Sequence, residues 1–260
     1  MSKNLAITII QSNLFWENKE KNITHFQQII ENLKDKTELI VLPEMFTTGF
    51  SMHPNKFAEK MDGLTLNWMQ KMADESNSAI IGSLIIKENN NYFNRLIFAK
   101  PNSKLDFYDK RHLFGMAGED IFYKAGDKRN LFDYKNWKIK ALICYDLRFP
   151  VWSRNDENYD LLIYIANWPD KRIKHWKTLL KARAIENQSY TVGVNRIGKD
   201  GNDIAHSGYS AVYDSMGNKI SFTKAGIQSV ETIVLDKDNL TKTRNNLPFN
   251  KDSDQFEILL

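Results

Sequence analysis

Glu44, Lys110 and Cys144 are the side chains whose types could do chemistry together. Each stands just past the carboxyl end of a predicted strand, at 39–43, 105–109 and 139–143. In open α/β sheets that edge is where active sites gather. A free thiol is mostly protonated near neutral pH, since its unperturbed pKa is about 8.5. A carboxylate can take its proton, while a neighbouring ammonium favours the thiolate and the oxyanion that forms on attack. Taken singly, each residue has a plainer reading. A lone Cys at a strand end is usually a small buried hydrophobe, Lys110 a solvated charge, and Glu44 a turn or capping residue. The coincidence of three strand ends weighs toward the catalytic reading.

The elements that must position these residues alternate along the chain. Residues 5–10 read as a buried strand. Ile23, Phe26, Ile30 and Leu33 then recur at helical spacing. Residues 39–42 form a second buried strand, stopped by Pro43. A helix over 64–73 carries Trp68, Met69, Met72 and Ala73 on one face, and 79–86 returns to strand. This opening predicts an α/β sheet under helical cover. Residues 92–99 and 105–108 pair around Pro101-Asn102. Strands follow at 137–143 and 160–166, then a helix over 173–187 that buries Trp176, Leu179, Leu180 and Ala184. Strands at 190–195, 210–213, 219–222 and 230–235 complete the pattern. From Asn245 the pattern is lost, and a tail is expected there.

Composition narrows the function classes. The 260 residues, 42% hydrophobic and 26% charged, fit one globular domain and neither a disordered chain nor a membrane protein. Lys+Arg 36 against Asp+Glu 32 gives a net charge of +4 with the signs interspersed, so no nucleic-acid footprint is expected. One cysteine excludes an internal disulfide and argues against a thiolate zinc site. No His pair has HxxxH spacing, and neither a GxGxxG string nor a P-loop is present. No apolar run reaches the length of a signal peptide or a membrane span, so the expected compartment is the cytoplasm.

The motifs around the three residues carry a resemblance. Leu42-Pro43-Glu44-Met45-Phe46, Asp109-Lys110-Arg111-His112-Leu113-Phe114 and Cys144-Tyr145-Asp146-Leu147-Arg148-Phe149-Pro150 resemble the three catalytic boxes of the nitrilase (carbon–nitrogen hydrolase) superfamily, in order and spacing. Ile165-Ala166-Asn167-Trp168-Pro169 and Asp214-Ser215-Met216-Gly217 extend the similarity over roughly residues 5–240. Gly118-Glu119-Asp120, His175-Trp176 and the string from Arg183 to Gln188 look most like the ω-amidase branch.

The resemblance implies an α/β fold, a four-layer α-β-β-α sandwich, spanning 1–244, with 245–260 a tail packing on the same or a neighbouring subunit of a homodimer. It implies Glu44 as general base, Cys144 as nucleophile, Lys110 as the cation facing the tetrahedral intermediate and Glu119 as the group orienting Lys110 and the substrate amide. The substrate is expected to be a small amide such as 2-oxoglutaramate or 2-oxosuccinamate, with no metal or organic cofactor required. The Tyr145 backbone N–H is expected in the oxyanion site. Arg172 is the expected carboxylate partner. Phe46, Phe114, Tyr145 and Trp168 are candidates for an aromatic wall, Arg148 for a structural ion pair and His112 for orienting Glu44 or its loop. Nitriles, N-carbamoyl amines or deaminated glutathione would use the same three residues. A Cys-His hydrolase and a non-catalytic binding module of the same fold are the rival readings.

Overall fold

A computed structural model of the chain describes residues 4–259. Strands β1 (Asn4–Gln11), β2 (Leu39–Val41), β3 (Ala79–Glu88), β4 (Asn91–Ala99), β5 (Asp106–Asp109) and β13 (Ser229–Asp236) form one sheet, in the order β13–β1–β2–β3–β4–β5. Strands β6 (Phe132–Tyr134), β7 (Trp137–Ile143), β8 (Leu161–Ala166), β9 (Tyr190–Asn195) and β12 (Ala211–Tyr213) form a second, in the order β12–β9–β8–β7–β6. The central strands of each sheet are parallel and the outer ones antiparallel. A separate hairpin pairs β10 (Ile197–Lys199) with β11 (Ala205–Ser207).

The two-residue period of a strand explains how the sheets stack. Leu5, Ile7 and Ile9 of β1, Leu39 and Val41 of β2, Ile81 of β3 and Phe98 of β4 face Ile139, Ala141 and Ile143 of β7 in one core between the sheets. The alternate residues Ile10, Ile40, Ile80 and Ile97 point the other way. They meet Phe26 and Ile30 of α1 (Lys19–Glu31) and Met69 and Met72 of α3 (Leu64–Ser76), with the single turn α2 (Pro54–Phe57) between those helices. A near-continuous apolar strand is therefore apolar because both of its faces are covered.

On the far side, α6 (Ile173–Glu186) lays Trp176, Leu180 and Ala184 on the second sheet, one residue per turn. Gly193 of β9 permits that approach, because a Cβ there would stand 2.3 Å from Leu180 and 2.7 Å from Trp176. The layers are thus helix, sheet, sheet, helix, as the resemblance implied. The short α4 (Glu119–Phe122) and α5 (Pro150–Ser153) lie in loops at the carboxyl edges of the sheets.

One expectation fails, and one helix was not foreseen. Residues 219–222 do not form a strand: Lys219 makes one isolated bridge to Tyr213, and the Ser221 hydroxyl accepts the Val212 N–H that a ladder would need. A final helix, α7 (Lys237–Asn246), runs up to the point where the tail was expected to begin. Only its Leu240 is buried, so its hydrophobic period is nearly silent; Asp236 starts it by accepting the N–H groups of Asp238 and Asn239. Beyond it, the Leu247 carbonyl accepts from Gln188 Nε2 at 2.7 Å, and Ile258 packs against the inter-sheet core.

Candidate active site

Glu44, Lys110 and Cys144 converge on one pocket at the carboxyl edges of both sheets. Glu44 follows β2, Lys110 follows β5 in the same sheet, and Cys144 follows β7 in the facing sheet. Lys110 Nζ donates to Glu44 Oε1 at 3.0 Å and to both oxygens of Glu119, at 2.9 and 2.8 Å. Glu44, Lys110 and Glu119 are buried, with Glu119 set behind the lysine. Cys144 is half-buried and opens onto the pocket.

The local backbone explains how the ends of these strands present their side chains. Cys144 has φ +45° and Met45, next to Glu44, has φ +43°, both in the left-handed region that L residues avoid. The chain therefore turns sharply at Cys144 and immediately after Glu44. The Cys144 turn is pinned by Asp146, whose Oδ2 accepts the Ile143 N–H at 3.0 Å and the Tyr108 hydroxyl at 2.8 Å. Its Oδ1 accepts the N–H of His112 and meets His112 Nδ1. One buried carboxylate thus fastens the cysteine turn to the lysine loop. His112 serves Asp146, not Glu44 as expected, and stacks flat on Phe149 at 3.7 Å.

Electrostatics follow from burial with too many acids. Burial alone would lower the Lys110 ammonium, but Glu119 and Glu44 outweigh it and hold the ammonium above its ordinary value. Burial raises the Glu119 carboxyl, with Lys110 working against it. Burial, then Glu44, pushes the Cys144 thiol well above its usual range, and Lys110 offsets this only in part. The sequence suggested an ammonium favouring the thiolate. In the folded site burial and the acids prevail, and the resting sulfur keeps its proton.

The remaining expected residues line the same pocket: Phe114, Tyr145, Trp168 and Arg172. The Arg172 guanidinium stands 5.1 Å from the Phe114 ring, and its carbonyl accepts from Trp168 Nε1 at 2.9 Å. Arg148 also faces the pocket, over the Trp168 ring at 4.9 Å and 3.1 Å from His175 Nδ1. The expected Arg148 ion pair is not made: among the described residues no carboxylate forms a salt bridge with either arginine. Phe46 is not on the wall; it is buried under α1 and α3 against Phe26 and Trp68. Phe50 takes its place, 5.0 Å from Lys110 Nζ. Sequence reasoning also passed over Asn94 and assigned no role to Asn167. Asn94 Nδ2 reaches Glu44 and Glu119, while the Asn167 N–H donates to Glu44 Oε2 at 2.8 Å. The available signal for Asn94 was a polar residue just before the apolar end of a strand.

The pocket encloses about 70 Å³. An acid, an amine and a protonated sulfur on its floor, with two cations at its mouth, suit attack on a small electrophilic carbon that carries an anionic group a few atoms away.

Comparison with known proteins agrees with this arrangement. The carbon–nitrogen hydrolase family pattern matches residues 6–245. The omega-amidase YafV of Escherichia coli K12 is 41% identical over 254 residues, covering 98% of each chain. The 2-oxoglutaramate amidase of Bacillus subtilis is 31% identical over 83% of this chain and 85% of its own. Among solved structures, XC1258 from Xanthomonas campestris, a CN-hydrolase superfamily protein with an arsenic adduct in its active site, superposes with a TM-score of 0.96 at 38% identity, covering 99% of this chain and 100% of its own. The chain belongs to the carbon–nitrogen hydrolase family.

Proposed function

We propose that the enzyme is an ω-amidase: it releases ammonia from the terminal amide of a small carboxylate such as 2-oxoglutaramate or 2-oxosuccinamate, through a thioester on Cys144. The observation that carries this reading is the meeting of Glu44, Lys110 and Cys144 on one small pocket with unpaired arginines at its mouth. The similarity to an omega-amidase over nearly the whole chain supports the same reading.

Glu44 is the general base. It takes the thiol proton as sulfur attacks the amide carbon, which suits a thiol that rests protonated. The C–S bond forms, the carbonyl π pair moves to oxygen, and the Lys110 ammonium and the Tyr145 N–H hold the resulting oxyanion. The oxyanion then collapses, Glu44 returns its proton to nitrogen, and ammonia leaves. Water, deprotonated by Glu44, attacks the thioester; the C–S bond breaks and the carboxylate product departs as the proton passes back to sulfur. Glu119 orients Lys110 through both oxygens. A single lost oxyanion donor typically costs ~3–4 kcal/mol, so Lys110 has a large share of the rate to supply.

Arg172 is the carboxylate partner, with Phe114, Tyr145 and Trp168 enclosing the short acyl chain. A volume of about 70 Å³ favours an acyl group of a few carbons over a peptide-sized one. In the same reading the domain spans 1–244 with 245–260 as a docked tail, and the enzyme works as a homodimer in the cytoplasm. No helix among the described residues is long and apolar enough to cross a membrane.

The test is ammonia release from a panel holding 2-oxoglutaramate, 2-oxosuccinamate, deaminated glutathione, carbamoyl amines and simple nitriles, with Cys144→Ala as the blank. The 2-oxo acid amides are expected to give the highest kcat/KM. A nitrile or carbamoyl amine leading the panel would overturn the substrate assignment, and full turnover by Cys144→Ala would overturn the mechanism. Light scattering at working concentration tests the dimer.

A further inference from the structure

Asn94 lies in the buried half of β4, beside the ion-paired Arg95, and it is fully buried. Its Nδ2 donates to Glu44 Oε1 at 2.8 Å and to Glu119 Oε1 at 3.2 Å. Its backbone carbonyl accepts the Lys110 N–H at 3.0 Å. Its Oδ1, equally buried, has no partner. A buried amide oxygen without a donor is costly, so this side chain is better suited to its two carboxylates than to its own satisfaction.

We propose that Asn94 is a positioning residue of the hydrolytic reaction: its neutral amide clamps the base Glu44 and the orienting acid Glu119 onto a single ammonium. The inference rests on the roles proposed above for Glu44 and Cys144. Two carboxylates share Lys110, and each presents Oε1 to it and to Asn94. A second cation in this place would quench the base, because a full charge would hold Glu44 ionised against taking the thiol proton. A hydrophobe would leave Lys110 as the one side-chain donor the two anions share, beside the backbone N–H groups of Asn167 and Phe114. An amide supplies two hydrogen bonds and no charge, which fixes Glu44 toward Cys144 while leaving it basic. Asn94 does not reach the pocket wall, so it touches neither substrate nor sulfur.

The groups that can titrate around this clamp are Lys110, Cys144 and the Tyr123 phenol, with Glu17 near Tyr123. Arg148, Arg172, Asp200 and His206 face the site across the pocket. Hydrogen bonds to a carboxylate favour its ionised form. Losing the amide therefore moves the acidic limb of the rate profile to higher pH. Replacing it with a third acid moves that limb further.

The experiment compares wild type, Asn94→Ala and the isosteric Asn94→Asp, in ammonia release from 2-oxosuccinamate and in alkylation of Cys144 by iodoacetamide, each across pH 5–9. Asn94→Ala is expected to lower kcat roughly 10- to 100-fold with KM within about twofold. The acidic limb should rise in both readouts, and more in Asn94→Asp than in Asn94→Ala. Asn94→Asp keeps the buried volume, so its profile can be read even if the alanine variant unfolds. An unmoved limb in the aspartate variant, or a loss carried by KM, overturns the clamp. Alkylation needs no amide substrate, so a wild type that alkylates normally yet hydrolyses none of the panel refutes the ω-amidase reading and leaves the clamp to stand or fall on the alkylation profile.

Discussion

On the pocket floor, Glu44, Lys110 and Glu119 are buried, and every carboxylate oxygen already has a donor: Lys110, Asn94, or the backbone N–H of Asn167 or Phe114. At the mouth, Arg148 and Arg172 are half-exposed, rest on aromatic rings and form no salt bridge. The floor is organised before anything binds, so its dipoles need no rearrangement when charge develops on the substrate. The mouth holds uncommitted charge, which a ligand's anion can complete. In the proposed reading reactivity belongs to the floor and selection to the mouth, and each can be attacked separately.

The largest effects should come from the floor. Glu44→Gln keeps the shape but cannot take a proton, and kcat should fall by about 10⁴-fold or more, close to the loss in Cys144→Ala, because residues acting as one unit are not additive. Steady-state assays of both and of the double variant check this; a double variant losing the product of the two single effects would show independent roles. Lys110→Met should be nearly as inactive but differ in stability. Two buried carboxylates stripped of their ammonium cost ~3–5 kcal/mol, whereas Cys144→Ala should stay within about 1 kcal/mol of wild type. Denaturant unfolding separates the two.

At the mouth the expected change is in binding. Arg172→Ala should raise KM for a 2-oxo acid amide about 10- to 100-fold with kcat little changed, and leave a neutral amide of the same length unaffected. Equal effects on both would remove Arg172 from carboxylate recognition. The hairpin β10–β11 brings buried His206 to this wall, where burial pushes its pKa down to about 4. A depressed imidazole is neutral in the fold but protonates in the unfolded chain. Its contribution is complete above pH ~6.5 and is lost as pH falls toward 4, ~3 kcal/mol in all. His206→Gln should flatten the melting temperature across that window. The smallest effect is expected from His112→Ala: kcat within about tenfold, since His112 supports Asp146 and moves no proton.

The same division separates what was legible in the sequence. Strands covered on both faces are written as apolar runs, so the ends of β2 and β7 could be read, and with them Glu44 and Cys144; β5 is a partly exposed edge strand, and Lys110 was reached through the pairing around Pro101-Asn102. Asn94 escaped notice because its neighbours give no period that marks it as inward-facing toward acids 50 and 25 residues away. Phe46 and Phe50 were exchanged because type and proximity cannot say which ring lies under a helix. Asp200, Ile204 and His206 reach the pocket through a hairpin of three-residue strands, too short for any periodicity. Helix α7 is polar nearly all round, and its cap at Asp236 was the one signal available.

The left-handed backbone at Cys144 sets activity against endurance. Relief of that conformation by glycine is worth ~1–2 kcal/mol, of which the greater freedom of glycine in the unfolded chain takes back ~0.4–1 kcal/mol. Cys144→Gly should therefore melt a few degrees above Cys144→Ala. The thiol thus holds its place at a turn whose backbone would suit a residue with no side chain to react.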